Sequence, residues 1–245
     1  MRLIELAKPV LEGALNVNSF MRASDGTTFL RKRPKCNPQI LKSIEYEYHQ
    51  IGFTGKGGGF RRRSQEDQLR FTTYAAANGL RVLSPSFVDS KGANHYLFLD
   101  DAKTLDDYIP TAPDEEMFSV VYQLFDDLRK AHRSNIIYGD RWSQNILVSP
   151  KYGVLHIDFD IEIFGKGAKE LEVAQAIYYT LCAGRKRIIP LLTEILTYGD
   201  WFDISMVEEF VIKHADHFIN SKKYGNAQRE VALLMDGVLK KRLQH

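Results

Sequence analysis

The sequence predicts an α+β fold, with a small β-rich N-terminal part and a compact helical C-terminal part. Three observations carry that expectation. Strand-like runs gather early, at Phe29-Leu30-Arg31-Lys32, Leu80–Pro85 and His95–Leu99. From Glu115 onward helical spacing dominates, with Phe118, Val121, Tyr122, Phe125 and Leu128 in the first such segment and further helices over 170–177, 188–198 and 206–217. Between them, two short apolar runs, Asn145–Val148 and Val154–Ile157, flank the turn Ser149-Pro150-Lys151-Tyr152-Gly153 and read as a hairpin. The change from strand-rich to helix-rich sequence falls near residue 100, giving an N-terminal part over 1–100 and a helical part over 101–245.

Composition narrows the class. The chain has 245 residues, long enough to bury a substantial core as one domain or two parts. Hydrophobic residues make up 44% and charged residues 26%, which excludes a disordered chain. The net charge of +2 names no partner by itself. Cys36 and Cys182 stand far apart without metal-ligand spacing, the pattern of a reduced intracellular protein. No apolar run is long enough to span a bilayer and Met1-Arg2-Leu3 opens no secretory pattern, so a cytoplasmic protein without a membrane span is expected.

Taken in order, Leu11 to Phe20 reads as strand sequence around a turn at Gly13-Ala14, either a plain surface turn or a cover for phosphates. In Phe29-Leu30-Arg31-Lys32, Leu30 and Lys32 share one strand face and Arg31 the other, and a slip of one residue would bring Arg31 or Arg33 into the place of Lys32. Residues 33–63 read as a mobile basic insertion. Arg31 to Arg63 holds nine basic residues against two acidic ones, a local balance of +7. Such a stretch can engage nucleic-acid phosphates or remain solvated. Ser64 to Asn78 predicts a helix, opened by the Ser64-x-x-Asp67 capping box and closed by Gly79.

The chemistry concentrates between His132 and Phe164. Asp140 precedes Asn145 by five residues, and Asp158 follows it by thirteen, so the hairpin brings all three to one end. Together they supply one base and two hard oxygen ligands. That set suits Mg²⁺, which takes few protein ligands and completes its shell from substrate phosphates and water.

Asp140-x4-Asn145 followed by Ile157-Asp158-Phe159 resembles the catalytic loop and the metal-binding motif of protein-kinase-like phosphotransferases. Leu128-Arg129-Lys130-Ala131-His132 is similar to the helix end that precedes that loop. The Gly13-Ala14 turn, the run Arg31-Lys32-Arg33-Pro34-Lys35 and the short segment after Asp158 are most similar to minimal atypical kinases, the RIO group and the small kinase of the tRNA threonylcarbamoyladenosine (KEOPS) machinery.

The resemblance implies a two-lobed kinase-like fold and an ATP- and Mg²⁺-dependent phosphotransferase, a Ser/Thr kinase or an ATPase. It implies that Asp140 accepts the proton of the attacking hydroxyl and that Asn145 and Asp158 hold Mg²⁺. For ATP it implies Gly13 and Ala14 over the phosphates, Lys32 on the α- and β-phosphates, and Glu66 (with Asp67 as its rival) holding Lys32. Backbone near Leu99, in the Phe98–Asp101 hinge, would meet adenine. The acceptor is a protein or a small molecule, and tRNA or an rRNA-linked complex is a candidate partner for the basic insertion. Two other readings fit the same residues, a sugar or aminoglycoside-type kinase and a non-catalytic nucleotide-binding module.

The chain departs from that family at three points. Asp160 replaces the usual Gly, Gly139 stands where regulated kinases carry Arg, and no Ser or Thr lies between Phe159 and Tyr179. A phosphorylation switch there has no hydroxyl to use.

Overall fold

The computed structural model describes residues 3–6, 11–12, 15–35, 37–225 and 227–244. In chain order come β1 (Leu3–Glu5), β2 (Leu11–Glu12), β3 (Asn16–Ala23), β4 (Thr28–Pro34), α1 (Pro38–Gln50), β5 (Gly58–Arg62), α2 (Gln65–Ala77), β6 (Phe87–Val88) and β7 (Asn94–Leu97). They are followed by β8 (Lys103–Thr104), α3 (Leu105–Tyr108), α4 (Asp114–Arg133), β9 (Ile146–Ser149), β10 (Gly153–His156) and β11 (Ile161–Gly165). Four helices close the chain, α5 (Ala168–Gly184), α6 (Ile189–Tyr198), α7 (Ile204–His217) and α8 (Gln228–Arg242). The fold is α+β, an antiparallel sheet region followed by a helical one. No helix among the described residues is long and apolar enough to cross a membrane.

The N-terminal sheet runs β1-β3-β4-β7-β6, with β2 also on β3. Its long hairpin turns at Asp25-Gly26, where Asp25 accepts from the Thr27 amide at 2.9 Å. Register settles which basic residue of β4 faces inward. Lys32 pairs with Asn18 and Asn94 and is 6% exposed, while Arg31 points the other way to Asp89 at 2.7 Å. The predicted strand over Leu80–Pro85 does not form. Only a single bridge, Val82 to His156, is made there, and the chain then leaves for β6.

The helix expected from Ser64 begins at Gln65, and its capping box is complete: Ser64 accepts from the Asp67 amide and Asp67 accepts from the Ser64 amide. The hairpin expected at 145–157 is β9–β10, extended to three strands by β8. In the helical region α5 is the axle. Nearly all its residues are buried, among them Leu171, Val173, Ala174, Ile177 and Leu181, and α4, α7 and α8 pack around it. On α4, Met117, Val121, Leu124, Phe125 and Leu128 face inward, whereas Tyr122 is exposed rather than core.

The basic stretch 33–63 is not a loop. It carries α1 and β5, and β5 pairs antiparallel with β11. Of its three consecutive arginines, Arg61 is exposed and the next two turn inward. Arg61 pairs with Glu162 at 2.6 Å. Arg62 donates to the carbonyls of Lys35 and Leu15 at 2.7 and 2.8 Å. Arg63 is buried, donates to the carbonyls of Tyr138, Phe159, Ile161 and Ile137, and stacks over Phe71 at 4.1 Å. Burial holds its guanidinium down to about 10. Arg62 and Arg63 thus fasten backbone segments from distant parts of the chain, while Arg61 stays at the surface.

Arg63→Ala is therefore expected to lower unfolding free energy by about 3 kcal/mol, because four carbonyls lose their donor. Arg61→Ala, at an exposed pair, should change it by less than about 1 kcal/mol. Urea denaturation of the two variants measures the difference, and equal small losses would contradict the clamp.

Candidate active site

Asp140 lies on the irregular stretch between α4 and β9 and is held by the central helix. Gln175 of α5 donates to Asp140 Oδ1 at 3.0 Å and accepts from the Arg141 amide at 2.9 Å. One turn earlier, Glu172 accepts from the Gly139 amide and pairs with His132 at 2.6 Å. Glu172 and Gln175, three residues apart on one helix face, thus fix the backbone on either side of Asp140. Gly139 has φ +113°, and a Cβ there would lie 1.8 Å from the Ile161 carbonyl oxygen. No side chain, arginine included, fits that position.

Arg141 is the largest fully buried side chain. It donates to the carbonyls of Asn145, Ile157 and Asp158 at 3.3, 3.1 and 2.9 Å and lies 5.1 Å over the Phe159 ring. One guanidinium therefore ties the Asp140 stretch to the end of the hairpin. Asn145 donates to the Asp140 carbonyl at 3.0 Å, which leaves its amide oxygen available as a ligand.

Asp158 takes φ +56°, a left-handed conformation that a non-glycine residue rarely adopts. It meets Lys32 from the sheet at 2.7 Å, and Asp160 meets the same ammonium at 2.8 Å. Asp160 also accepts from Asn16 of β3. Burial opposes the Lys32 charge, but the two carboxylates outweigh it and raise its pKa well above the ordinary lysine range. The more exposed Asp158 keeps its charge, its burial offset by Lys32, and its pKa is lowered. Burial, then the charge of Asp158, push Asp160 up.

Asp140 is also pushed up, to about 6, first by burial and then by neighbouring Asp158 and Glu172, with Arg141 and Gln175 opposing. A carboxylate poised near neutral pH suits a proton acceptor.

Asp140, Asn145 and Asp158 all line one cavity of about 460 Å³, together with Asn16, Asn18 and Asp160. Lys32 reaches the same group through Asp158. Two hard oxygen donors, the Asn145 amide and the Asp158 carboxylate, fit an ion that takes most of its shell from phosphates and water. Among the described residues no cluster of three or more His, Cys, Asp or Glu forms a metal cage.

Two expected residues, Glu66 and Leu99, stand away from the cavity. Glu66 does not hold Lys32; it is exposed on the first turn of α2 and pairs with Arg70 at 2.6 Å, and its rival Asp67 caps Ser64. Lys32 finds its carboxylates within the hairpin end instead. Leu99 is half-buried beyond β7 and does not line the cavity. Gly13 and Ala14 lie outside the described residues.

Sequence reasoning missed Arg141, Glu172, Gln175 and Asn16. Two polar residues one turn apart within the apolar run Leu171–Tyr179 were the available signal for Glu172 and Gln175. In comparisons with known proteins, no family model matches the chain and no curated protein matches it.

Proposed function

We propose that the protein is an ATP- and Mg²⁺-dependent phosphotransferase with a two-lobed, protein-kinase-like architecture. The observation that carries this is the Lys32–Asp158 contact at 2.7 Å, which joins the N-terminal sheet to the hairpin end where Asp140 and Asn145 share one cavity. A buried ammonium, two oxygen donors and a carboxylate near neutrality are the parts phosphoryl transfer needs, since it depends on positioning and charge stabilisation rather than on a covalent nucleophile.

Lys32, released by Asp158 and still anchored by Asp160, orients the α- and β-phosphates. Asn145 and Asp158 hold Mg²⁺, which when bound neutralises charge on the transferring phosphate. Asp140 takes the proton of the acceptor hydroxyl, while Gln175 and Arg141 keep its backbone and carboxylate in place. Asp160 takes the place of a helix carboxylate as the second anchor of Lys32. A reaction that draws on ATP suits a cytoplasmic protein.

Mg²⁺ with ATP is expected to raise the melting temperature through binding to the folded state, and Asp158→Ala to abolish that rise. Differential scanning fluorimetry across a nucleotide series measures it. A wild-type protein whose melting temperature ignores Mg·ATP at millimolar concentration would refute the nucleotide site, and an unchanged rise in Asp158→Ala would remove Asp158 from it.

A further inference from the structure

The cavity beside Asp140 extends well past the groups that phosphates would meet. At about 460 Å³ it lies within the range of small-molecule sites. One wall is α1, where Ile40, Ile44 and Glu47 follow at helical spacing and share a face. Trp142, Tyr179, Phe218 and Tyr224 line the same cavity.

The charge of this lining is one-sided. Four carboxylates reach it, Glu47, Asp140, Asp158 and Asp160, and no lysine or arginine is among the lining residues. Lys32 answers Asp158 and Asp160 from behind, and Arg141 lies behind Asp140. Glu47 has no cation among the described residues to offset it. Burial, then the charge of Asp140, push its carboxyl up to about 8, so it is a proton-holding group that a cation would ionise. Asn16, 4% exposed and lining the same cavity, keeps an Oδ1 without a hydrogen-bond partner. The walls thus present acceptors and ring faces, the chemistry that receives an ammonium.

We propose that this cavity is the acceptor site of the phosphotransferase and takes a small hydroxyl compound bearing an ammonium group, an amino alcohol or an amino sugar. The acceptor role rests on the phosphotransferase reading above; the amine site does not. The ammonium lies between Glu47 and the aromatic wall, and the hydroxyl meets Asp140. In the transfer, the acceptor oxygen bonds to the γ-phosphorus of ATP and Asp140 takes the hydroxyl proton. The bond from phosphorus to the β–γ bridging oxygen breaks, and ADP leaves with that electron pair. The products are a phosphomonoester, ADP and a proton. A seryl side chain brings Glu47 no positive charge and leaves the aromatic wall unfilled.

The test has two arms on the full chain. Without nucleotide, calorimetric titration compares 2-aminoethanol, choline and glucosamine with their neutral counterparts ethylene glycol and glucose. The amines should bind at least tenfold tighter, and Glu47→Gln should weaken them tenfold or more and close the gap. With Mg·ATP, phosphorus NMR and ADP release compare the amines with glucose and casein. An amine should have the highest kcat/KM, and Glu47→Gln should raise its KM without a matching rise in the KM for ATP.

Neutral compounds binding as tightly as amines, or amines indifferent to Glu47→Gln, overturn the proposal. Casein preferred over every amine overturns the acceptor role and leaves phosphotransfer standing. Amines that bind through Glu47 while no phosphate leaves ATP keep the amine site and refute the phosphotransferase reading along with the acceptor role.

Discussion

Asp140→Asn is expected to slow phosphate transfer by about a hundredfold or more while raising the melting temperature. Asparagine can still accept from Gln175, so the local geometry persists, but it cannot take a proton. The stability gain follows from the raised pKa of Asp140. A carboxyl that titrates at about 6 when folded, against 3.8 for the ordinary group, favours the folded state below pH 3.8 and loses that contribution as pH rises through 6. At neutral pH the buried charge is therefore a burden of about 1–3 kcal/mol that asparagine removes. In the wild-type protein kcat/KM should fall as pH drops below about 6, because the free protein then holds its base protonated. A turn residue would behave differently, its loss lowering stability and leaving the pH limb in place. An Asp140→Asn protein that turns over at the wild-type rate refutes the mechanism.

Arg141→Lys is expected to lower unfolding free energy by about 3 kcal/mol and to move the low-pH limb of kcat/KM upward. The guanidinium reaches the carbonyls of Asn145, Ile157 and Asp158 at once, and a lysine ammonium on a flexible stem cannot span all three. Arg141 also opposes the rise in the pKa of Asp140, so a displaced or less tightly held charge raises it further. Denaturation gives the first quantity and a pH series the second. A variant as stable as wild type with an unmoved limb would show that the carbonyls are satisfied without the fork.

Much of this site was legible because its parts are local. Asn145 and Asp158 flank one hairpin and Asp140 lies shortly before it, and the apolar runs and the Pro-Gly turn announce its strands. Strand alternation put Lys32 and Arg31 on opposite faces but left the register open, and the pairing with β3 and β7 settled it. Glu66 was misplaced because its role depended on how α2 is set against β4, and first-turn acids read alike whether they cap, pair or reach across. The second anchor of Lys32 was in plain sequence at Asp160, two residues after Asp158, and was legible only as a departure from a motif. Charge counting did not separate Arg62 and Arg63 from the exposed Arg61, since carbonyls from remote stretches leave no mark in composition. Glu47 attracted no notice for the same reason: what sets it apart is the cavity in front of it.

The pairing of β5 with β11 has a mechanical consequence. Residues 58–62 belong to the N-terminal half of the chain, and residues 161–165 follow directly on Asp158 and Asp160, yet they form a ribbon of five matched positions. The ribbon is a two-stranded sheet of its own, apart from the N-terminal sheet. Pulling residues 58–62 off it would tear the Arg63 carbonyl contacts as well. The same pairing leaves the stretch after Asp158 no slack with which to swing out.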